Sequence, residues 1–343
     1  MDTLQTEIGA VLFVQAHLIW LTPLMDLFTF TGMPLFFFIA LPTIWWCVSP
    51  RLGLRLGVLI ALSGGLNGTL KLLFHTPRPY WVSTEVRTLT THPTFSMPSG
   101  HAQSAVCFWG YIAARVKRHW FSAVAVLIIL FTGFSRVLAG VHFPSDVIAG
   151  WTIGAVVLIA FITLERRYSG AIAALHPAVQ TGCAIGASLL ILVPALALST
   201  YGAPLPPEWI ETATTGSGLP AEVVINPYNL SVVISLAGIL PGIGAGAAWE
   251  RGRFSAGGSI RRRLARLAVG MPAGILIWVC TAPLTTSSHG TLGLAATYLQ
   301  AAIMGFWMAG AAPRLFSVLG IDGAGGRQER GHCADGFEGI REQ

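Results

Sequence analysis

Long apolar runs separated by short polar stretches repeat along most of this chain. They predict nine membrane-crossing helices, at about residues 34–48, 53–73, 101–116, 120–140, 144–164, 178–198, 229–248, 267–284 and 292–312. Several are near the short end of what a hydrocarbon core of ~30 Å requires. An earlier apolar stretch, Ile8 to Trp20, covers 13 residues and contains Gln15 and His17. A run of that length is expected to lie on the membrane surface. The first ten residues lack the basic region of a cleaved signal peptide, so none is expected. From Gly320 the sequence is Gly-rich and charged, and disorder is expected there. The pattern divides the chain into an interfacial segment (1–31), a core (32–170), a four-helix membrane region (171–315) and a disordered cytoplasmic tail (316–343).

Composition narrows the class. Apolar residues make up 53% and charged residues 10%, against roughly 25% charge in a soluble domain. That is too little charge to coat a water-facing surface, so a soluble enzyme, a disordered chain and a nucleic-acid binder are disfavoured. The expected fold is an all-α, polytopic helical membrane protein. The five cysteines form no CxxC pair, so neither a zinc site nor a disulfide framework is indicated.

The basic residues orient the map. Lys71, Arg78, Arg87 and Arg136 fall on one side, and the other 17 of the 21 Lys and Arg fall on the opposite side, from Arg51 through the 251–266 loop to the tail. The side rich in positive charge is expected to be cytoplasmic. The four exceptions oppose that bias, and three lie near helix ends close to histidines, which marks them for function. Glycine pairs at Gly150/Gly154, Gly182/Gly186, Gly238/Gly242/Gly246 and Gly270/Gly274 have the spacing of close helix contacts.

Three clusters fall on the exoplasmic side. One runs from Lys71 to Arg78-Pro79. The second is Pro98-Ser99-Gly100-His101, and the third is Ser135-Arg136 followed by His142 and Asp146. Arginine forks and a lysine point charge suit phosphate oxygens. Ser99 and Gly100 open a helix whose free N–H groups favour an anion. Asp146, four residues after His142, can orient one imidazole nitrogen and leave the other as a nucleophile. His101 suits the general acid. A phosphohistidine at His142, later hydrolysed by water, would follow. No carboxylate cluster is available for Mg²⁺, so no metal or other cofactor is expected.

These three elements resemble, position for position, the three-part signature of the type-2 phosphatidic acid phosphatase (lipid phosphate phosphatase) superfamily. The resemblance implies a helix-bundle core over roughly 30–165, with His142 as nucleophile, Asp146 as its partner and His101 as acid. It also implies that Lys71, Arg78, Ser99, Gly100, His101 and Arg136 hold phosphate without metal. More finely, Arg78-Pro79-Tyr80-Trp81-Val82, nine spans and an exoplasmic N-terminal segment are similar to the glucose-6-phosphatase branch.

The expected substrates are phosphorylated lipids or isoprenoid diphosphates, of the phosphatidate, phosphatidylglycerophosphate or undecaprenyl diphosphate type. The expected site faces the exoplasm, which in a bacterium is the periplasmic side of the inner membrane. Membrane lipids are expected as partners and nucleic acid is not. Rival readings are a sugar-phosphate phosphatase, a lipid phosphotransferase, and a phosphate-lipid binding or transport protein. His17, His75, His92, His119 and His289 are expected to be packing or loop residues. The run Arg261–Arg263 is expected to anchor topology on anionic lipid, and Trp45, Trp46, Trp81 and Trp151 to form interfacial belts.

Overall fold

The structure, a computed structural model, describes residues 2–286 and 290–323. No strand occurs among them. The chain opens with α1 (Asp2–Leu18), a 3-10 turn, α2 (Thr22–Phe30), α3 (Pro34–Cys47), α4 (Pro50–Phe74), the single turn α5 (Pro79–Val82) and α6 (Gly100–Val116). It continues through α7 (His119–Leu138), α8 (Pro144–Ala174), α9 (Pro177–Thr200), α10 (Pro207–Ser217), α11 (Ala221–Val224), α12 (Ser231–Glu250) and α13 (Ile260–Thr286). It ends with α14 (Gly290–Phe306), a π-helical turn (Trp307–Ala311) and α15 (Ala312–Val318). Proline stands in the first turn of many of these helices, where its missing N–H costs nothing and its fixed φ suits the helix.

Among the described residues, eight helical stretches are long and apolar enough to cross a membrane. The protein is a multi-pass helical membrane protein. Helices stand at all nine expected places, yet two fall short as independent spans: α3 has 14 residues and α6 has 17. At 1.5 Å per residue, α3 rises only about 21 Å. The N-terminal stretch is longer than expected, because α1, the 3-10 turn and α2 run on as Thr3–Phe30, which passes the same test. The polar residues of α1 fix where it sits. Glu7 accepts from the backbone N–H and hydroxyl of Ser145, at 3.1 and 2.8 Å. Gln15 donates to the carbonyls of Arg87 and Leu138, at 2.6 and 3.0 Å. Both therefore bind one end of the bundle, where α7 ends and α8 begins.

Glycine sets the helix spacing. A methyl on Gly150 would stand 2.6 Å from the Ser99 carbonyl, and one on Gly154 2.8 Å from the Gln103 carbonyl, so α8 lies directly against α6. In α4, Gly57, Gly64, Gly65 and Gly68 face Ile243, Leu236, Ile191 and Val233. This seam joins the first half of the chain to α9 and α12. Gly238, Gly242 and Gly246 seat α12 against α14 and the π turn, as their spacing predicts. Gly270 and Gly274 likewise meet Trp46 and Trp307. Gly182 and Gly186 differ, with nothing within 4 Å of either, because α9 turns Ala184 rather than those glycines toward Gly244 of α12. Gly150→Val is expected to lower detergent-solubilised stability by about 1–3 kcal/mol through overpacking, whereas Gly182→Val leaves it unchanged. Thermal unfolding of both measures this; equal melting temperatures would show that the α6–α8 spacing carries no constraint.

Several aromatic and basic residues are placed otherwise than expected. Trp45, Trp46 and Trp81 are buried rather than interfacial, and Trp46 donates to the Met308 carbonyl at 2.9 Å. Half-buried Trp151 donates to the Ile129 carbonyl at 3.3 Å. Arg266 is a buried staple rather than a surface charge, donating to the carbonyls of Trp46, Gly257 and Ile321. The segment after 316 is ordered as far as Gly323, whose N–H donates to the Ser255 carbonyl at 2.9 Å. The rest of the expected disordered tail, and His289, lie outside the described residues.

Candidate active site

Four helix ends converge at one end of the bundle. α4 finishes at His75, which adopts a left-handed conformation at φ 50° and redirects the chain into Thr76-Pro77-Arg78-Pro79. The 83–99 loop then leads to Ser99, which caps α6 and donates its N–H to the Asp146 carbonyl at 2.9 Å. α7 ends just beyond Arg136, and α8 begins just after His142. All three sequence clusters meet here.

His142 is buried between the two sides of the pocket. Its Nδ1 faces Ser96 Oγ at 3.2 Å and Asp146 Oδ2 at 3.4 Å. Asp146 Oδ2 also accepts from Ser96 Oγ at 2.5 Å and from the Phe143 N–H at 2.8 Å. Because Ser96 gives its proton to the carboxylate, Nδ1 is assigned the imidazole proton, and Nε2 keeps its lone pair. Nε2 faces Arg78 Nη1 at 3.4 Å. Burial, then the charges of Arg78, Lys71 and Arg136, hold the His142 pKa well below the ordinary histidine value, so the imidazole is neutral and able to attack.

Arg78 faces that nitrogen, and Lys71 and Arg136 are near enough to act on the imidazole electrostatically. Arg78 is 2% exposed and donates to the carbonyls of Thr94, Phe95 and Val141, and to the Thr94 hydroxyl. Lys71 Nζ binds the carbonyls of Phe95 and Ser96 at 2.5 and 2.7 Å. Two of its three protons are thus engaged. Arg136 Nη2 meets His92 Nε2 at 2.7 Å, while its buried Nε has no partner. His101 Nε2 is likewise buried without a partner, and the ring lies edge-on to His92 with centroids 5.8 Å apart. Gly32, just after α2, rests on the His101 ring, where a methyl would come within 2.5 Å. A methyl on Gly100 would meet Asn67 Oδ1 at 3.0 Å. Two unpartnered donors beside a neutral, oriented imidazole form a site with hydrogen-bonding capacity left for an anion.

Residues 52–169 match the PAP2 superfamily. The chain carries a PAP2 superfamily domain. Residues 234–325 match the PAP2 superfamily phosphatase transmembrane extension. The chain is 34% identical over 151 residues to a probable sphingosine-1-phosphate phosphatase of Dictyostelium discoideum, covering 40% of this chain and 36% of that protein. It is 26% identical over 142 residues to lipid phosphate phosphatase delta of Arabidopsis thaliana, covering 37% and 34%. An undecaprenyl-diphosphatase of Sulfolobus acidocaldarius is 28% identical over 123 residues, covering 36% and 58%. The match thus spans about a third of the first two relatives and somewhat over half of the third.

Two residues of this PAP2 site carry no mark in the sequence. His92, expected to be a packing or loop residue, receives Arg136, and burial with the charges of Arg78, Arg136 and Lys71 pushes its pKa down to about 2. Ser96 sits between His142 and Asp146. Both belong to a loop without periodicity, and only their proximity to Pro98-Ser99-Gly100-His101 hinted at them. Tyr80 and the C-terminal half together brace this loop. The Tyr80 hydroxyl donates to the His92 carbonyl at 2.8 Å, the Asn226 N–H donates to the Pro93 carbonyl at 2.9 Å, and Tyr228 packs on Phe95 at 5.6 Å. Trp81 lies 6.3 Å from Trp209 of α10 and is fully buried. The aromatic pair after Arg78-Pro79 therefore packs under α10.

Proposed function

We propose that this PAP2 protein is a metal-independent phosphatase that cleaves a phosphomonoester or diphosphate of a lipid or isoprenoid through a phosphohistidine at His142. The observation that carries this reading is the pairing of His142 Nδ1 with Ser96 and Asp146 while Nε2 faces the Arg78 guanidinium. A binding protein needs the cations but not the oriented imidazole. The D. discoideum, A. thaliana and S. acidocaldarius relatives, named for sphingosine 1-phosphate, lipid phosphate and undecaprenyl diphosphate, support the substrate class.

In the first step Nε2 forms a bond to phosphorus as the bond to the leaving oxygen breaks, and His101, protonated in the presence of the anionic substrate, gives that oxygen its proton. In the second step water attacks phosphorus, His101 takes the water proton, and the P–N bond electrons return to Nε2. Lys71, Arg78, Arg136 and the N-terminus of α6 at Ser99 and Gly100 balance the phosphoryl charge. The site lies at the end of the bundle poor in Lys and Arg, which supports an exoplasmic site and inner (plasma) membrane placement, with α1 lying along that boundary.

One assay tests the reading. Right-side-out vesicles containing the protein and chelator are expected to release phosphate from externally added phosphatidate, phosphatidylglycerophosphate or undecaprenyl diphosphate. Release only after permeabilisation would reverse the orientation. A strict requirement for Mg²⁺ would overturn the charge balance, and release from glucose 6-phosphate alone would replace the substrate class.

A further inference from the structure

At the opposite end of the bundle, a groove of about 390 Å³ opens between the start of α9, the end of α12 and α15. Arg251, Arg253 and Arg314 line it, together with Trp249 and Ala178. Among the described residues no carboxylate pairs with any of these arginines. Arg314 is held in place, donating to the Trp249 carbonyl at 2.8 Å and lying 3.9 Å above the Trp249 ring. That ring in turn stacks on Phe306 at 5.4 Å. Three cations converge here on a preorganised aromatic wall, with no paired carboxylate among the described residues.

The groove continues along the helix surface. Ala178, Gly182 and Gly186 are spaced four apart and so lie on one face of α9. Neither glycine has an atom within 4 Å of its missing side chain. This face therefore forms a bare, apolar strip that starts at Ala178 in the groove, and no helix of the described residues covers it at either glycine.

We propose that the groove binds the phosphate headgroup of an anionic glycerophospholipid, with one acyl chain lying on the Ala178–Gly182–Gly186 strip. Arginine forks match the phosphodiester oxygens, and basic pockets between transmembrane helices at the membrane boundary suit such headgroups. The strip accounts for glycines with helix-packing spacing that pack against no helix. The site is distinct from the His142 pocket and stands whether or not that pocket hydrolyses phosphate.

Native mass spectrometry of the full chain, purified in detergent and titrated with phosphatidylglycerol, phosphatidylcholine or inorganic phosphate, tests this. One phosphatidylglycerol should be retained in preference to phosphatidylcholine. Arg251→Gln/Arg253→Gln should weaken that binding at least about tenfold while lipid-free melting temperature and basal phosphatase activity stay unchanged. Gly186→Leu, which leaves the arginines intact and blocks the strip, should weaken it as well. Wild-type lipid occupancy in both variants would overturn the proposal. Displacement of phosphatidylglycerol by inorganic phosphate at equal concentration would also overturn it, by identifying the ligand as a soluble anion.

Discussion

His142→Ala is expected to reduce turnover to background for every substrate, whereas His101→Ala loses activity in proportion to how badly the leaving group needs a proton. The difference follows from position. His142 presents Nε2 toward Arg78 with Nδ1 committed to Ser96 and Asp146, so in the proposed mechanism no covalent step remains without it. His101 carries an unpartnered Nε2, which the proposed mechanism assigns to the departing oxygen. General acid help is worth about 10²–10⁴-fold. His101→Ala should lose about that on phosphatidate, where an alkoxide leaves, and much less on p-nitrophenyl phosphate, where a stable phenolate leaves. The measurement is kcat/KM for both variants on both substrates, with acid-labile phosphoenzyme followed by radiolabel. Equal losses for His101→Ala would rule out its acid role, and labelled phosphoenzyme in His142→Ala would move the nucleophile elsewhere. The pH profile has a defined sign. With its pKa held well below the usual range, the free-enzyme His142 stays unprotonated as pH falls past about 6.5, the ordinary histidine value. The acidic limb of kcat/KM assigned to it therefore lies below that pH.

Arg78→Lys is expected to lower kcat/KM by about 10²–10⁴-fold while keeping the charge. The guanidinium reaches five acceptors: the Thr94 carbonyl and hydroxyl, the carbonyls of Phe95 and Val141, and His142 Nε2. It ties the 92–96 loop to the turn that carries His142. An ammonium has three donors on a point charge and cannot span that arc. Losing two charge-assisted bonds, at roughly 1.5–3 kcal/mol each, gives the stated range. Both KM and kcat should worsen, because in the proposed mechanism the same side chain binds phosphate and positions His142. A variant within threefold of the parent would show that charge alone is needed at this position.

Much of this site was legible because its chemistry is local in sequence. Asp146 follows His142 by one helical turn, and Ser99 stands where an N-cap must, so spacing alone placed them. Hydropathy found the helices because membrane crossing depends on a continuous apolar run. It could not say which face each helix turns inward, so Trp46 and Trp81 were assigned to interfaces although both are buried. The α4 glycine seam and the open Gly182–Gly186 strip have similar residues and opposite surroundings. Only the arrangement of neighbouring helices separates them. His92 and Ser96 escaped for a related reason: a loop residue acquires its role from what folds against it. In the same way, Gln15 and Glu7 make sense of α1 only once the ends of α7 and α8 are in place.

The brace from the C-terminal half has a consequence for how the protein is made. Ribosomes deliver the chain N-terminus first, so His92, Ser96 and His142 reach the membrane long before Tyr228 and Asn226. During that interval the loop lacks the Asn226 bond to Pro93 and the Tyr228 contact with Phe95, and the glycine seam of α4 has no partner. Residues synthesised early are completed by residues synthesised late. The stretch from Ile191 to Ile243 thus completes the packing of the half of the chain that precedes it.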